Sequence, residues 1–246
     1  RLTFTASEED LDIYSTTTVG DNNKIFVAPK AADKVYFVDE NPDLDPQLIA
    51  HRRTYTHMGL DKDKQEMYME FVAHGTEGPA SDFAMNAAIG SPLGVGMKIM
   101  ESKLVPEVEK YILAGDATAL PVIKSILQSL SDDSNAEAFI EIPSEEEKNL
   151  IPQTQNTKIH WIVNPNLGQN TMLADKLIEE VDKMQFSSSK FAFVACEYSS
   201  VKKLRTYFRK EKEWDRTELN AYSYWKYGEA ESKSEVERRK EKMEIN

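Results

Sequence analysis

The sequence predicts two domains, an antiparallel β-barrel followed by an α/β domain with a parallel sheet, and a charged helix at the C-terminus. Three observations carry this expectation. The first hundred residues hold several short alternating strands and one small helix, the pattern of a closed antiparallel barrel. After about residue 104 the rhythm becomes strand, helix, strand, which calls for parallel strands joined by crossover helices. "SEVERRKEKMEI" (234–245) is dense in charge at helical spacing. The expected boundaries are 1–103 for the barrel, 104–230 for the α/β domain and 231–246 for the terminal helix.

In chain order, "RLTFTA" (1–6) alternates, and "NKIFVAPK" (23–30) and "DKVYFVDE" (33–40) are short apolar strands around a "PKAAD" turn. "HRRTYTHM" follows as a strand. In "QEMYMEFVAH" (65–74), Met67, Met69, Phe71 and Ala73 face one way, a strand period of two. "PASDFAMNAA" (79–88) is the small helix, and "SPLGVGMKIM" (91–100) closes the set. In the second half, "EKYILAGD" (109–116) is a buried strand. "ALPVIKSILQSL" (119–130) places Ile123, Ile126, Leu127 and Leu130 on one helical face, with Thr118 as its cap and Pro121 tolerated in the first turn. Strands "AEAFIEIP" (136–143), "KIHWIVN" (158–164) and "KFAFVACE" (190–197) alternate with helices "TMLADKLIEEVDKM" (171–184) and "SSVKKLRTYFRKEK" (199–212). "ELNAYSYWKYG" (218–228) is the last strand. Lys203 and Arg205 sit on a positively charged helix expected to face solvent.

The 246 residues carry a formal charge of −12, with 40% hydrophobic and 29% charged residues. That balance describes a soluble globular chain whose field opposes nucleic acid and anionic membrane surfaces. No apolar run nears the roughly 18 residues of a membrane span. The single cysteine, Cys196, cannot form an intramolecular disulfide and suits a reducing compartment. With no leader visible after Arg1, the expected location is cytoplasmic. The four histidines and one cysteine show no HExxH or CxxC spacing, so no metal site is expected.

Three stretches can carry chemistry. "HGTEGPAS" (74–81) sets two glycines and a proline before a helix start, where unpaired N–H groups and the dipole favour phosphate; a strand-to-helix turn capped by Ser has the same sequence. "LAGDATALPV" (113–122) repeats the pattern at the end of a parallel strand, where α/β ligands bind, but it lacks GxGxxG and equally describes a capped helix. In "HRRTYTHMGL" (51–60), alternation puts Arg53, Tyr55 and His57 on one face and Arg52, Thr54 and Thr56 on the other. A flavin needs an aromatic wall, a hydroxyl near N5 and a cation for its phosphates. Arg53, Tyr55 and Thr56 supply these groups if the strand end twists; an edge strand with exposed charges would look alike.

"RTYT" (53–56), "HGTEGPAS" (74–81), "LAGDATALP" (113–121) and "YWKYG" (224–228), in this order and spacing, resemble the siderophore-interacting protein family. These are FAD-dependent ferric-siderophore reductases within the ferredoxin–NADP reductase-like superfamily. The resemblance covers nearly the whole chain, "FAFVACEYSSVKKLRTYFRKE" (191–211) included. It implies that the barrel binds FAD and that the α/β domain is nucleotide-binding-like. Arg53 would pair with a flavin phosphate, Tyr55 would stack on the ring and Thr56 would bond near N5. His74, Gly75, Gly78, Pro79, Ala80 and Ser81 would line the diphosphate. Asp116 and Thr118 would lie beside the flavin, and Tyr224 and Trp225 would close the ring's other side. The chain departs from the family at Ala117, where Glu is usual, and at His57 and Met58, where a hydrophobic residue and Arg are usual. The first departure bears on nicotinamide handling and the second on a basic substrate contact.

The resemblance implies reduction of siderophore-bound Fe(III) to Fe(II) inside the cell, with NADH, NADPH or reduced ferredoxin as donor. An anionic ferric siderophore entering so acidic a protein needs a local cation. Lys226 is the first candidate, ahead of Lys124 and His57. The basic cluster Arg238, Arg239, Lys240 and Lys242 could meet an acidic ferredoxin, or the terminal helix could cross the nucleotide cleft or stay solvated. Cys196 and His160 are expected to be packing residues. A general NAD(P)H:flavin oxidoreductase and a non-catalytic flavin-bearing siderophore carrier are the alternatives.

Overall fold

The computed structural model describes residues 1–38, 43–97, 99, 103–151 and 156–229. The chain divides into two compact units, Arg1–Lys103 and Leu104–Asn246.

The first unit contains β1 (Leu2–Thr5), α1 (Glu8–Tyr14), β2 (Asn22–Val27), β3 (His51–Thr56), β4 (Leu60–Asp61), β5 (Glu66–Met69), α2 (Pro79–Asn86) and β6 (Gly94–Met97). Every pairing is antiparallel, in two three-stranded sheets of order β1-β5-β4 and β3-β2-β6. The period of two turns Ile25 and Val27 from one sheet, and Met67 and Met69 from the other, into one apolar cluster closed by Ala80 of α2. Full burial of such side chains stabilises by about 1.5–3 kcal/mol each before chain entropy is counted. This cluster sets β3 against the first turn of α2, because Tyr55 and Phe83 pack on it as well.

Two local expectations fail here. Residues 33–38 form no strand, although "DKVYFV" has the pattern of one. Its side chains are satisfied by packing rather than by a ladder: Phe37 meets Phe26 edge-on at 4.8 Å. A Cβ at Gly94 would lie 2.9 Å from Phe37 and 3.1 Å from Val35, so this segment lies directly over β6. Helix α1 was not foreseen. Ser7 caps it by accepting from the Asp10 amide at 3.1 Å, and Glu8, Glu9 and Asp10 meet the positive end of its dipole.

The second unit contains β7 (Lys110–Asp116), α3 (Leu120–Ser129), β8 (Asn135–Ile142), β9 (Thr157–Val163), α4 (Leu173–Val181), β10 (Lys190–Glu197), α5 (Tyr198–Thr206) and β11 (Leu219–Trp225). Its sheet has five strands, all parallel, in the order β11-β10-β7-β8-β9. The chain builds outward from β7 to β9 and then returns to add β10 and β11 on the other side. The order therefore reverses between β7 and β10. Gly115 at the end of β7 is dictated by packing, since a Cβ there would sit 2.6 Å from both Ala119 and Ile123. α5 ends in a single π-turn over Tyr207–Glu211. Contrary to expectation, Arg205 does not face solvent: it is buried and donates to the Ala221 carbonyl at 2.8 Å, tying α5 to β11, while Lys203 does stay exposed. The terminal helix expected over 231–246, with Arg238, Arg239, Lys240 and Lys242, lies outside the described residues.

Candidate functional site

In the first unit the candidate residues come from β3 and from the segment that leads into α2. Register sets Arg53 opposite Ile25 and Tyr55 opposite Asn23. Arg53 is half-buried and one of its guanidinium nitrogens donates to the Arg52 carbonyl at 2.8 Å. The Tyr55 ring packs at 4.5 Å from Phe71, tilted by 43°. Thr56 is buried at the strand end. His57, expected to face substrate, is 2% exposed, and burial lowers its pKa below the ordinary imidazole value. A ring enclosed in this way cannot present itself to a ligand in solvent, so His57 is corrected to an interior residue.

The α2 start has the features an anion requires. Gly78 is the N-cap, extended at φ −97°, and no side chain caps the helix. Pro79 has no N–H, so Ala80 and Ser81 carry the leading amides. Gly75 adopts φ +97° with open space where a side chain would project. The His74 ring lies over Gly78, 3.2 Å from where a Cβ would stand. Ser81 Oγ accepts from the His74 amide at 3.1 Å, which closes the 74–81 segment on itself and commits the Ser81 hydroxyl internally. The residues present fit an FAD: a cation and an aromatic ring on β3, and uncapped amides with open glycine backbone in front of α2, joined through one apolar cluster.

The second unit handles its candidate residues differently. Asp116, at the end of β7, is 1% exposed and accepts four hydrogen bonds, from the Thr118 amide (2.9 Å), the Thr118 hydroxyl (2.5 Å), the Glu197 amide (2.8 Å) and Trp225 Nε1 (2.8 Å). It caps the turn into α3, a role expected of Thr118, whose amide and hydroxyl both donate inward. Burial raises the Asp116 carboxyl above its ordinary range, against the pull of its donors. Trp225 also packs on Gly168, where a Cβ would fall 2.3 Å from the indole and where φ is +90°. Tyr224 is half-buried, and burial pushes its phenol up. Lys226 pairs with Glu229 at 2.6 Å and lies 5.1 Å from the Tyr198 ring. Lys124 is half-buried on an otherwise buried stretch of α3.

Sequence reasoning missed two carboxylates of this edge, Glu141 at β8 (1% exposed) and Glu197 at β10 (4%). The signal was present: each is an acid near the end of an apolar strand, in "AFIEIP" and "FVACE". Glu141 accepts from Asn164 Nδ2 (2.8 Å) and the Met172 amide (2.6 Å). Glu197 accepts from the Ser199 amide (2.6 Å) and hydroxyl and from the Tyr227 amide (3.2 Å). Burial together with Asp116, Glu197 and Glu141 pushes the Cys196 thiol well up, so it stays protonated packing. His160 stacks on Phe139 at 4.2 Å and meets Glu137 at 2.9 Å on β9, at the sheet edge. Among the described residues, no group of three or more His, Cys, Asp and Glu is placed to hold a metal, and no helix is long and apolar enough to cross a membrane.

Comparison with known proteins fits this geometry. A family model described as "Siderophore-interacting FAD-binding domain" matches residues 1–97, and one described as "Siderophore-interacting protein" matches 108–228. The chain is 29% identical over 240 residues to the ferric vibriobactin reductase ViuB of Vibrio cholerae, covering 96% of this chain and 88% of that protein. It is 21% identical over 210 residues to the ferric acinetobactin reductase of Acinetobacter baumannii, covering 85% and 71%. The fold is similar to that of the siderophore-interacting protein SipS from Aeromonas hydrophila, with a TM-score of 0.79 and 21% identity over 97% of this chain and 89% of that one.

Proposed function

Because the chain belongs to the siderophore-interacting protein family and carries that family's FAD-binding domain, we propose that it is an FAD-dependent ferric-siderophore reductase. The observation that carries this reading is the junction of β3 with the uncapped start of α2 through a shared apolar cluster. Similar proteins named as reductases of ferric vibriobactin and ferric acinetobactin support the reaction type. Bound FAD would supply single electrons that convert siderophore Fe(III) to Fe(II), which hard oxygen donors hold more weakly.

In this reading residues 1–103 form the FAD-binding domain. Arg53 compensates phosphate charge and Tyr55 gives the ring an apolar face. Thr56 offers a hydroxyl at the strand end. The amides of Ala80 and Ser81, reached across Gly75 and Gly78, receive the diphosphate. Residues 104–230 form the nucleotide-binding-like domain. Asp116, Thr118 and Trp225 hold one another there, and direct cofactor contact is not needed to account for their positions. For an anionic chelate, Lys226 is the first cation, and it would have to exchange Glu229 for the substrate; Lys124 is the second. The reaction belongs in the cytoplasm, where a reduced donor is at hand.

The visible spectrum of the purified full chain tests cofactor identity. Ferrozine trapping of Fe(II) from a ferric catecholate chelate, after photoreduction of the protein, tests turnover. A flavin spectrum that Arg53→Ala weakens by about tenfold or more in retention, together with ferrozine colour, is expected. A protein that takes up no FAD overturns the reading. A yellow protein that yields no colour identifies a carrier instead, and a protein that oxidises faster with free flavin than with the chelate is a general flavin reductase.

A further inference from the structure

Among the described residues of the first unit, four buried polar atoms have no hydrogen-bond partner: Asp21 Oδ2, Asn23 Oδ1 and Nδ2, and His57 Nδ1. Their residues are 5%, 1% and 2% exposed. Unpaired polar groups are costly inside a protein, and nearly all of them are satisfied by protein or by ordered solvent.

The backbone gathers the three residues. β2 and β3 pair with Asn23 opposite Tyr55 and Asn22 opposite Thr56. Just beyond, the ladder carries a bulge. The Gly20 amide donates to the His57 carbonyl at 2.8 Å, and the His57 amide donates to the Asp21 carbonyl at 2.8 Å, so two residues of one strand face one of the other. Gly20 holds φ +100°, the left-handed conformation that such a bulge requires of its first residue. Asp21 and Asn23 continue the buried face of Ile25, while Asn22 and Lys24 between them are exposed. His57 lies two residues beyond Tyr55, the partner of Asn23, and joins the same face. Opposite residues on one face stand about 5 Å apart at Cβ and diagonal neighbours about 7 Å. None of the four atoms bonds to another. A molecule that spans two hydrogen bonds, each about 2.9 Å long, reaches from one to the next.

The mix of groups selects that molecule. A metal cation would satisfy the two oxygens and the ring nitrogen but would leave the Asn23 N–H aimed at positive charge. An anion would meet the oxygens of Asp21 and Asn23. Water both donates and accepts. It takes the Asn23 N–H and gives its own hydrogens to two of the remaining atoms, the roughly three bonds that internal waters make. Burial keeps the His57 ring neutral, so Nδ1 accepts in one tautomer and donates in the other, and water answers either.

We propose that Asp21, Asn23 and His57 form an internal water site that ties the bulged approach to β2 to the end of β3. The site belongs to the first unit alone and depends on neither the cofactor nor the reaction assigned above.

A crystal structure of the unmodified full chain tests it directly. The expected result is a water peak about 2.7–3.2 Å from Asn23 Nδ2 and from Asp21 Oδ2 or His57 Nδ1. Side chains bonded to one another or to other protein groups, with no peak beside Asn23, overturn the proposal. So does a peak with contacts of about 2.0–2.6 Å, which marks a cation. Oxygen-17 magnetic relaxation dispersion makes the same test in solution. Asn23→Leu combined with His57→Leu is expected to remove a long-lived internal water from the full chain, with near-UV circular dichroism reporting that the variant is folded. An unchanged count of such waters overturns the site. Should the variant fail to fold, the crystallographic result decides.

Discussion

The starts of α2 and α3 look nearly alike in sequence: a strand, a glycine turn and a helix opened by proline. They differ in the segment that leads into the helix. The α2 start has a glycine cap and no side-chain acceptor. The approach to α3 carries Asp116, whose buried carboxylate collects the nearby donors for the protein itself. Neither helix has a side-chain cap of its own; Asp116 instead caps the short turn over 117–119 that leads into α3.

The comparison breaks most directly at Asp116. Asp116→Ala leaves the buried Glu197 amide and the half-buried Trp225 and Thr118 donors without this acceptor and should destabilise the second unit by about 1–3 kcal/mol. A urea midpoint that scarcely moves would mean that those donors find other partners. Gly168→Ala combines a left-handed φ with a 2.3 Å approach to Trp225. We expect a loss of about 2–4 kcal/mol and an altered tryptophan emission as the indole leaves Asp116.

Gly78→Asp gives the first helix start a side-chain acceptor, as Asp116 gives the turn after β7. The new carboxylate should cap α2 and raise the stability of the FAD-free protein by about 0.5–1 kcal/mol. It should also weaken FAD binding by about tenfold or more by occupying the anion's place. Equilibrium dialysis and thermal melts check the two signs separately, and a rise in both quantities would show that the diphosphate does not use this helix start.

The smallest expected effect concerns pH. His57 is held neutral by burial, with its pKa below the usual 6.5. Above 6.5 neither the folded nor the unfolded chain protonates this ring. Below that value the unfolded chain takes up a proton that the fold resists, so stability declines as pH falls through the folded value. Asp21, paired with His57 through the backbone, adds the opposite slope at lower pH, because burial raises its carboxyl above 3.8. Denaturant melts between about pH 5 and 7 should show stability falling toward acid, and His57→Leu should flatten that limb.

The legible parts of the fold were those carried by periodicity. Alternation in "KFAFVACE" and the i, i+3, i+4 spacing in "ALPVIKSILQSL" place β10 and α3 within a residue or two, because buried strands and amphipathic helices must repeat in those periods. "DKVYFV" shows the limit: its pattern is a strand's, yet Phe37 is satisfied by packing on Phe26 without a ladder. The "RTYT" and "HGTEGPAS" motifs were legible as candidate ligand groups because the required chemistry is local to each. The burial of His57 and Arg205 was not, since a side chain's exposure depends on what another segment lays over it.

By itself the sequence determined the strand and helix periods, the change of architecture near residue 104, and the chemical groups an FAD would need, all properties of neighbours in the chain. Only the tertiary structure decided that Asp116 takes its donors from residues as far along the chain as Glu197 and Trp225, and that Gly168 lies under an indole. Hydrogen-bond satisfaction in a low-dielectric interior is settled between segments distant in sequence, and no local pattern encodes which donor reaches which carboxylate.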